Sequence, residues 1–208
     1  LFRENWSIAN RLIYLNKNAD IFAEDLKNAS EVLHRGGIIV YPTDTIWGIG
    51  CDATNDEAVR HVYALKQRTD HKAMLVLIDS PDKLNGYVSQ VPDIAWDLIE
   101  VSDKPLTIIY PNAKNLAFNL LGEDGSVGIR ITNEQFSHAL CKLFRKPLVS
   151  TSANISGMPS PCLFSEIAEN VKKGADYIVR YRQDETVKVK PSGIIKLSED
   201  GCVEIIRE

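Results

Sequence analysis

The sequence predicts an α/β fold, a twisted mixed β-sheet with flanking helices, and three observations carry that prediction. Short apolar runs alternate along the chain with longer stretches of helical period. Neither an internal repeat nor a low-complexity segment interrupts that alternation. The balance of 44% hydrophobic and 25% charged side chains over 208 residues is that of an ordinary globular protein able to bury a substantial core. One domain spanning 1–208 is expected, with its core at about 20–165 and a peripheral C-terminal segment at 166–208.

Taken in order, the first helical pattern covers 21–35 and ends in His34-Arg35-Gly36-Gly37, basic residues followed by glycine, which is a helix stop. An apolar strand at 37–41 follows and is broken by Pro42. Helical patterns at 56–67, 94–101, Gln135–Phe144 and 164–171 then alternate with apolar runs. The runs at 73–78, Leu106–Tyr110, Val127–Ile131 and 148–150 read as buried strands. Shorter strands are expected at 177–179, 194–197 and 203–206. The stretch 174–191 is polar and ends in Val187-Lys188-Val189-Lys190-Pro191, as a linker or a short alternating edge strand would.

Composition removes several function classes. A net charge of −4 argues against binding nucleic acid through overall charge, though it leaves room for a local basic patch. Cys51, Cys141, Cys162 and Cys202 lie far apart with no Cys-x-x-Cys pair, so neither metal spacing nor a disulfide framework is expected. Arg3, Glu4, Arg11 and Lys17 interrupt any apolar leader, and no run is long enough to span a membrane. A reducing cytoplasm is the expected location. There the Asn-x-Ser triplets at Asn5, Asn28 and Asn154 carry no glycosylation meaning.

Gly48-x-Gly50-x-x-Ala53 satisfies a loose dinucleotide-binding pattern, but its context is wrong. Pro42 breaks the strand before it, and Asp70, at the acidic position, directly follows a helix. No phosphate-binding P-loop and no Gly-x-Ser-x-Gly elbow occur. His34, His61, His71 and His138 sit in basic or helical surroundings, which gives a Ser-His-Asp hydrolase little support.

Three other segments have a chemical reading beside a plainer one. Thr43, Asp44 and Thr45 arrive at the end of a strand, in the crevice where open α/β sheets bind ligands. A Pro-initiated turn satisfying its own backbone would use the same residues. Lys66 and Arg68 stand where a helix should end, either complementing its dipole or clamping an anion such as a polyphosphate. The stretch 147–157, Pro-Leu-Val-Ser-Thr-Ser-Ala-Asn-Ile-Ser-Gly, offers hydroxyls, an amide and a glycine turn without charge. It is a ligand cradle or a dense set of Ser/Thr turns.

In this order, 36–53, Leu65-Lys66-Gln67-Arg68, 104–110, 127–131 and 146–161 closely resemble the YrdC/TsaC family of L-threonylcarbamoyladenylate synthases. The resemblance resumes at 190–197 and 203–208. It implies a YrdC-like fold with a basic concave face. It also implies a nucleotidyltransferase that joins L-threonine, bicarbonate or CO₂, and ATP into threonylcarbamoyl-AMP with release of pyrophosphate. That reaction is the first step of threonylcarbamoyladenosine formation at position 37 of tRNA.

By the same resemblance, Lys66, Arg68, Ser152 and Asn154 are the catalytic tetrad. Thr107 and Arg207 join them in contacting ATP, and Thr43, Arg130, Ser150, Thr151 and Ser192 receive threonine. Mg²⁺ is expected to arrive on ATP, with no dedicated protein metal site. Later-step tRNA-modification proteins, and tRNA itself, are the implied partners, with no membrane. The chain departs from the family pattern at Thr69, where proline is common, and at Lys190-Pro191-Ser192-Gly193, where Ser-Pro-Ser-Thr is common. Two alternatives stay open at this point. One is a tRNA- or double-stranded-RNA-binding module of the same fold without chemistry. The other is a paralogue with an altered substrate.

Overall fold

The computed structural model describes residues 8–68 and 74–208. Asn5, Thr69, Asp70, His71 and the first residue of the strand expected at 73–78 lie outside those residues. The chain runs α1 (Ile8–His34), β1 (Ile39–Tyr41), β2 (Gly48–Gly50), α2 (Asp56–Leu65), β3 (Leu75–Ile78), α3 (Leu84–Tyr87) and α4 (Asp93–Val101). It continues with β4 (Leu106–Tyr110), β5 (Val127–Ile131), α5 (Gln135–Phe144), β6 (Leu148–Ser152), α6 (Glu169–Gly174), β7 (Tyr177–Ile178), β8 (Gly193–Leu197) and β9 (Val203–Arg207).

Among the described residues nine strands form one mixed sheet in the order β7-β1-β2-β6-β3-β5-β4-β8-β9. The pairs β1·β7, β3·β5 and β4·β8 are parallel, and the other neighbours are antiparallel.

Alternation along the strands gives each sheet face its own role. Val40, Ile49, Val76, Ile108, Ile129 and Val149 point into the larger core, shared with Val59 and Val62 of α2, Leu84 of α3 and Ala95 of α4. On the opposite face Ile39, Tyr41, Leu77 and Leu148 pack with Leu33 of α1 and Phe136, Leu140 and Phe144 of α5. Full burial of each of these large side chains contributes about 2–3 kcal/mol. α1 and α5 pack on that face. Further along it, Arg130 pairs in register with Leu77, and Ser150 lies two residues beyond Leu148. The face that buries phenylalanines at one end therefore presents hydroxyls and a guanidinium at the other.

Local chemistry sets the boundaries that matter for the site. α1 stops where expected: Gly36 takes φ +78°, its N–H donates to Leu33 O (3.0 Å), and Gly37 N–H donates to Val32 O (2.9 Å). α2 starts at Asn55, whose side chain accepts from Glu57 N and Ala58 N. It ends two residues before the expected 67, because Gln67 adopts φ +50° and closes the same kind of turn. There Gln67 N–H donates to Ala64 O and Arg68 N–H to Tyr63 O, both at 3.0 Å.

Other findings differ from the sequence expectations, among them the start of α1 at Ile8 in place of 21. The strand β2 has no sequence signal, since Gly-Ile-Gly is a poor strand former on propensity alone. A side chain at Gly50 would meet the Tyr41 ring at 2.7 Å and Val149 O at 2.9 Å, so the glycine is a packing requirement there. The helix expected at 164–171 is divided into a 3₁₀ turn, Phe164–Glu166, and α6, because Ile167 and Ala168 are extended while Ile167 is buried. The segment 166–208 supplies the three strands expected there, β7 at one edge of the sheet and β8 and β9 at the other, and it buries Val171, Val179 and Leu197.

Candidate active site

The polar end of β6 is held on both sides. Ser150 pairs with Leu75 of β3, while Thr151 and Ser152 pair with Ile49 and Gly48 of β2. The strand runs two residues past the expected 148–150, so Ser150, Thr151 and Ser152 are fixed by sheet hydrogen bonds instead of riding on a loose turn. Ala153 N–H then donates to Trp47 O (2.9 Å), and Ser156 N–H donates to Lys66 O (2.8 Å).

Lys66 and Arg68 leave the α2 turn in different directions. The Lys66 ammonium is buried and donates to Ser152 O (2.6 Å), Asn154 O (2.8 Å) and Asn154 Oδ1 (3.2 Å). These three acceptors use all three of its N–H donors. Asn154 Oδ1 also accepts from Ser152 Oγ, and Asn154 Nδ2 donates to Met158 O. Burial, with the nearby Arg68 charge, pulls Lys66 down to about 8. Arg68 instead lies over the Tyr63 ring, 5.7 Å from its centroid, and borders a cavity.

That cavity, about 300 Å³, lies at the polar end of β6, with Ser150, Thr151 and Ser152 on its wall. Three guanidiniums border it: Arg68 after α2, Arg130 on β5 and Arg207 on β9. The remaining polar lining is hydroxyl-bearing, with Thr43, Thr45, Ser150, Thr151, Ser152, Ser160 and Ser192. Arg207 Nε donates to Ser192 O (2.9 Å), which holds β9 against the segment entering β8. Burial and the Arg130 charge pull the Arg207 guanidinium below its ordinary value.

Arg130 is only 3% exposed, and its Nη2 lies 2.8 Å from Asp44 Oδ1. Arg130 Nε has no hydrogen-bond partner, and the Asp44 Oδ1 contact is an ion contact without hydrogen-bond geometry. One buried cation is therefore half satisfied, a costly arrangement that invites a further acceptor. Burial raises Asp44 above the ordinary carboxylate range, against the opposing effect of Arg130. The loop carrying Asp44 is fixed by Thr43 Oγ1 donating to Ile46 O (2.7 Å) and Arg182 Nη1 donating to Thr43 O (3.0 Å). Arg182 is itself held by Glu185 at 2.7 and 2.8 Å and by Glu134 at 3.1 Å.

The structure thus brings together at one cavity Arg68, Ser152, Thr43, Arg130, Ser150, Thr151, Ser192 and Arg207. Lys66 and Asn154 lie behind its wall, tied to each other. Thr107 also lies behind the lining, its hydroxyl 3.0 Å from that of Ser192. A larger cavity of about 640 Å³, with Asp44, Glu134 and Arg182 on its wall, borders none of the expected site residues. Thr45, Ser160 and Arg182 were not singled out as site residues from the sequence. Thr45 belongs to the Thr43–Asp44 segment that raised the question, whereas Arg182 lies in a polar stretch with no motif. Among the described residues no group of three or more His, Cys, Asp or Glu gathers as a metal site, and no helix is long and apolar enough to cross a membrane.

A mixed α/β sheet with hydroxyls and three guanidiniums at one cavity makes an α/β protein with the donor set to receive an anion. Comparison with known proteins narrows the class. The family described as "Sua5_yciO_yrdC: Telomere recombination" matches residues 31–208. "Threonylcarbamoyl-AMP synthase" of Pseudoalteromonas translucida is 35% identical over 150 residues, covering 71% of this chain and 80% of that protein. The protein of the same name from Vibrio campbellii is 33% identical over 175 residues, covering 81% and 94%.

Among solved structures, P. abyssi Sua5 complexed with L-threonine superposes with a TM-score of 0.76 at 27% identity. That match covers 84% of this chain and 51% of Sua5, so the chain spans about half the length of that relative. E. coli YciO matches with a TM-score of 0.76 at 25% identity over 88% of both chains. The chain belongs to the Sua5/YciO/YrdC family.

Proposed function

We propose that this protein makes threonylcarbamoyl-AMP from L-threonine, CO₂ or bicarbonate, and ATP, releasing pyrophosphate. In that reading it performs the first step of threonylcarbamoyladenosine formation at position 37 of tRNA. The observation that carries the proposal is the cavity itself. Among the described residues its charged lining is three arginines and its other polar side chains are hydroxyls, in a chain similar to relatives named for this activity. A relative of the same fold binds L-threonine.

The residues divide the work by their chemistry. Arg130, with an unpartnered Nε, receives the amino acid's carboxylate, and Thr43, Ser150, Thr151 and Ser192 orient it. Arg68 and Arg207 stabilise charge on the ATP phosphates as it shifts to the leaving pyrophosphate. Ser152 holds a phosphate oxygen or the ribose in line, and Thr107 supports Ser192 from behind. Lys66 and Asn154 set the shape of the 152–156 segment, and through it the position of Ser152. Among the described residues no carboxylate borders the smaller cavity, and in this reading Mg²⁺ enters on the nucleotide, held by phosphate oxygens and water. The product is a reactive mixed anhydride, so proteins that transfer it to tRNA are the expected partners, in the cytoplasm where tRNA and ATP are found.

The test is product analysis by mass spectrometry after incubation with ATP, L-threonine and bicarbonate. Threonylcarbamoyl-AMP and pyrophosphate are expected only when all three are present. A folded protein that yields neither overturns the proposal.

A further inference from the structure

The turn after β7 carries no motif, yet a buried carboxylate fixes where it runs. Asp25 of α1 is fully buried and accepts from Arg180 N–H (2.7 Å), Tyr181 N–H (2.8 Å), Arg180 Nε (2.9 Å) and the Tyr177 hydroxyl (2.6 Å). A carboxylate taken that far from water needs such a set of donors. The Tyr181 ring adds an edge contact with Phe22 at 5.0 Å and stacks on Phe136 at 6.0 Å. Arg182 therefore leaves an anchored base.

Its backbone takes φ +67°, a left-handed conformation that favours glycine, so other contacts must hold an arginine there. The guanidinium supplies that hold. Nε and Nη2 donate to the two carboxylate oxygens of Glu185 at 2.7 and 2.8 Å, and Nη1 lies 3.1 Å from Glu134 Oε1. Glu134 in turn caps α5, its Oε2 accepting from Ser137 N–H (2.7 Å) and Ser137 Oγ (2.8 Å). From this fixed position Nη1 reaches across the fold and donates to Thr43 O at 3.0 Å.

That carbonyl belongs to the planar peptide unit leading from Thr43 into Asp44, so fixing its direction constrains both residues. On one side, the Thr43 side chain borders the smaller cavity, its hydroxyl donating to Ile46 O (2.7 Å) and lying 3.1 Å from that of Thr45. On the other side, Asp44 meets Arg130 at 2.8 Å. Arg182 also acts on Asp44 through charge. Burial raises the Asp44 carboxyl, Arg130 and Arg182 oppose that rise, and Glu134 adds to it.

We propose that Arg182 is a positioning residue for the amino-acid site: its grip on the Thr43 carbonyl sets the 43–45 loop and, through Asp44, the pose in which Arg130 meets the substrate carboxylate. The inference rests on the proposed threonine site. Arg182 itself borders the larger cavity and not the smaller one, so it acts through the loop.

The experiment measures L-threonine binding to the full chain by isothermal titration calorimetry without ATP, with steady-state kinetics for both substrates and thermal melts alongside. Arg182→Gly suits the +67° backbone while removing the guanidinium, so the fold has little reason to suffer. It is expected to weaken threonine binding and raise the KM for threonine about tenfold, with kcat and the KM for ATP within about threefold. Arg182→Lys keeps the charge and a donor, and its threonine affinity should stay within about threefold of wild type. Glu185→Ala frees the same guanidinium from the solvent side and should weaken threonine binding about threefold.

Unchanged threonine affinity in folded Arg182→Gly, or in Glu185→Ala should that variant not fold, overturns the inference. So does a loss shared equally by threonine and ATP, or one that Arg182→Lys does not relieve. A wild-type protein that binds threonine without forming product overturns the synthase proposal alone, and calorimetry still decides the role of Arg182. Failure of the wild-type protein to bind threonine overturns both.

Discussion

Two buried cations on neighbouring parts of the fold are treated in opposite ways. Lys66 gives three hydrogen bonds to the carbonyl oxygens of Ser152 and Asn154 and the side-chain oxygen of Asn154. Arg130, equally buried at 3%, makes one ion contact with Asp44 and leaves its Nε without a partner. A buried donor with every hydrogen used serves structure, because it has nothing left to offer a ligand without breaking what it holds. A buried donor with an unused N–H carries a cost that only an incoming acceptor relieves. On the proposed reading, Lys66 shapes the site and Arg130 meets the substrate.

Breaking the saturated side has the larger expected effect. Lys66→Met takes a donor from three acceptors, leaving Ser152 O with Asn154 N–H and Asn154 Oδ1 with Ser152 Oγ, and should lower stability by about 3 kcal/mol, read by urea denaturation. The Ser152 segment then loses its position, and synthase activity should fall about a thousandfold with threonine and ATP use impaired together. An active, fully stable Lys66→Met protein would erase the contrast.

Breaking the half-satisfied side should separate the two readouts. Arg130→Gln takes the counter-ion from the largely buried Asp44 and is expected to cost about 2 kcal/mol of stability. It should nevertheless reduce kcat/KM for threonine about a hundredfold while leaving the KM for ATP within about threefold. Steady-state kinetics with each substrate varied in turn would show whether the loss follows threonine.

The pH dependence of stability sharpens the same contrast, in two separate windows. Lys66 is pulled down to about 8 in the folded protein against 10.5 ordinarily. Between those values the unfolded chain holds more protons, so this residue makes stability rise with pH there, and Lys66→Met should lack that rise. Asp44 is raised above its ordinary 3.8. Its contribution is full below 3.8 and is lost as pH rises through the folded value, so Asp44→Asn should flatten that decline. Urea midpoints measured at pH 4, 7, 8 and 10 test both signs. The smallest effect is expected at Gln67, whose left-handed φ of +50° forms the turn that parts Lys66 from Arg68. Gln67→Gly should change stability by less than about 1 kcal/mol and leave activity intact, as thermal melts and the product assay would show.

How much of this was legible varies by segment, for physical reasons. The α1 stop, the strands Leu106–Tyr110 and Val127–Ile131, and the helix Gln135–Phe144 follow from local signals that the fold does not override. The β2 strand was not legible, because Gly-Ile-Gly is extended only through pairing with β1 and β6 and through the lack of room at Gly50. In 166–208 the strands were legible, and Ser192 and Arg207 were marked as site residues by the resemblance alone. Its polar 174–191 stretch looks peripheral, yet β8 pairs beside β4 and carries Ser192 to the cavity. Arg182 had no motif to announce it, and its role comes only from meeting the Thr43 carbonyl across the fold.

The sequence by itself determined the fold class and, through family resemblance, which polar segments belong to one site. Apolar period and turn chemistry are local, and Lys66, Arg68, Ser152 and Asn154 are visible as residue types at fixed spacing. Only the tertiary structure decided what each of them faces. Lys66 and Arg68 are two positions apart in the chain, yet the left-handed turn at Gln67 sends one beneath the Ser152 segment and the other to the cavity. A side chain's direction depends on backbone angles and on partners distant in sequence, and neither is written in the spacing.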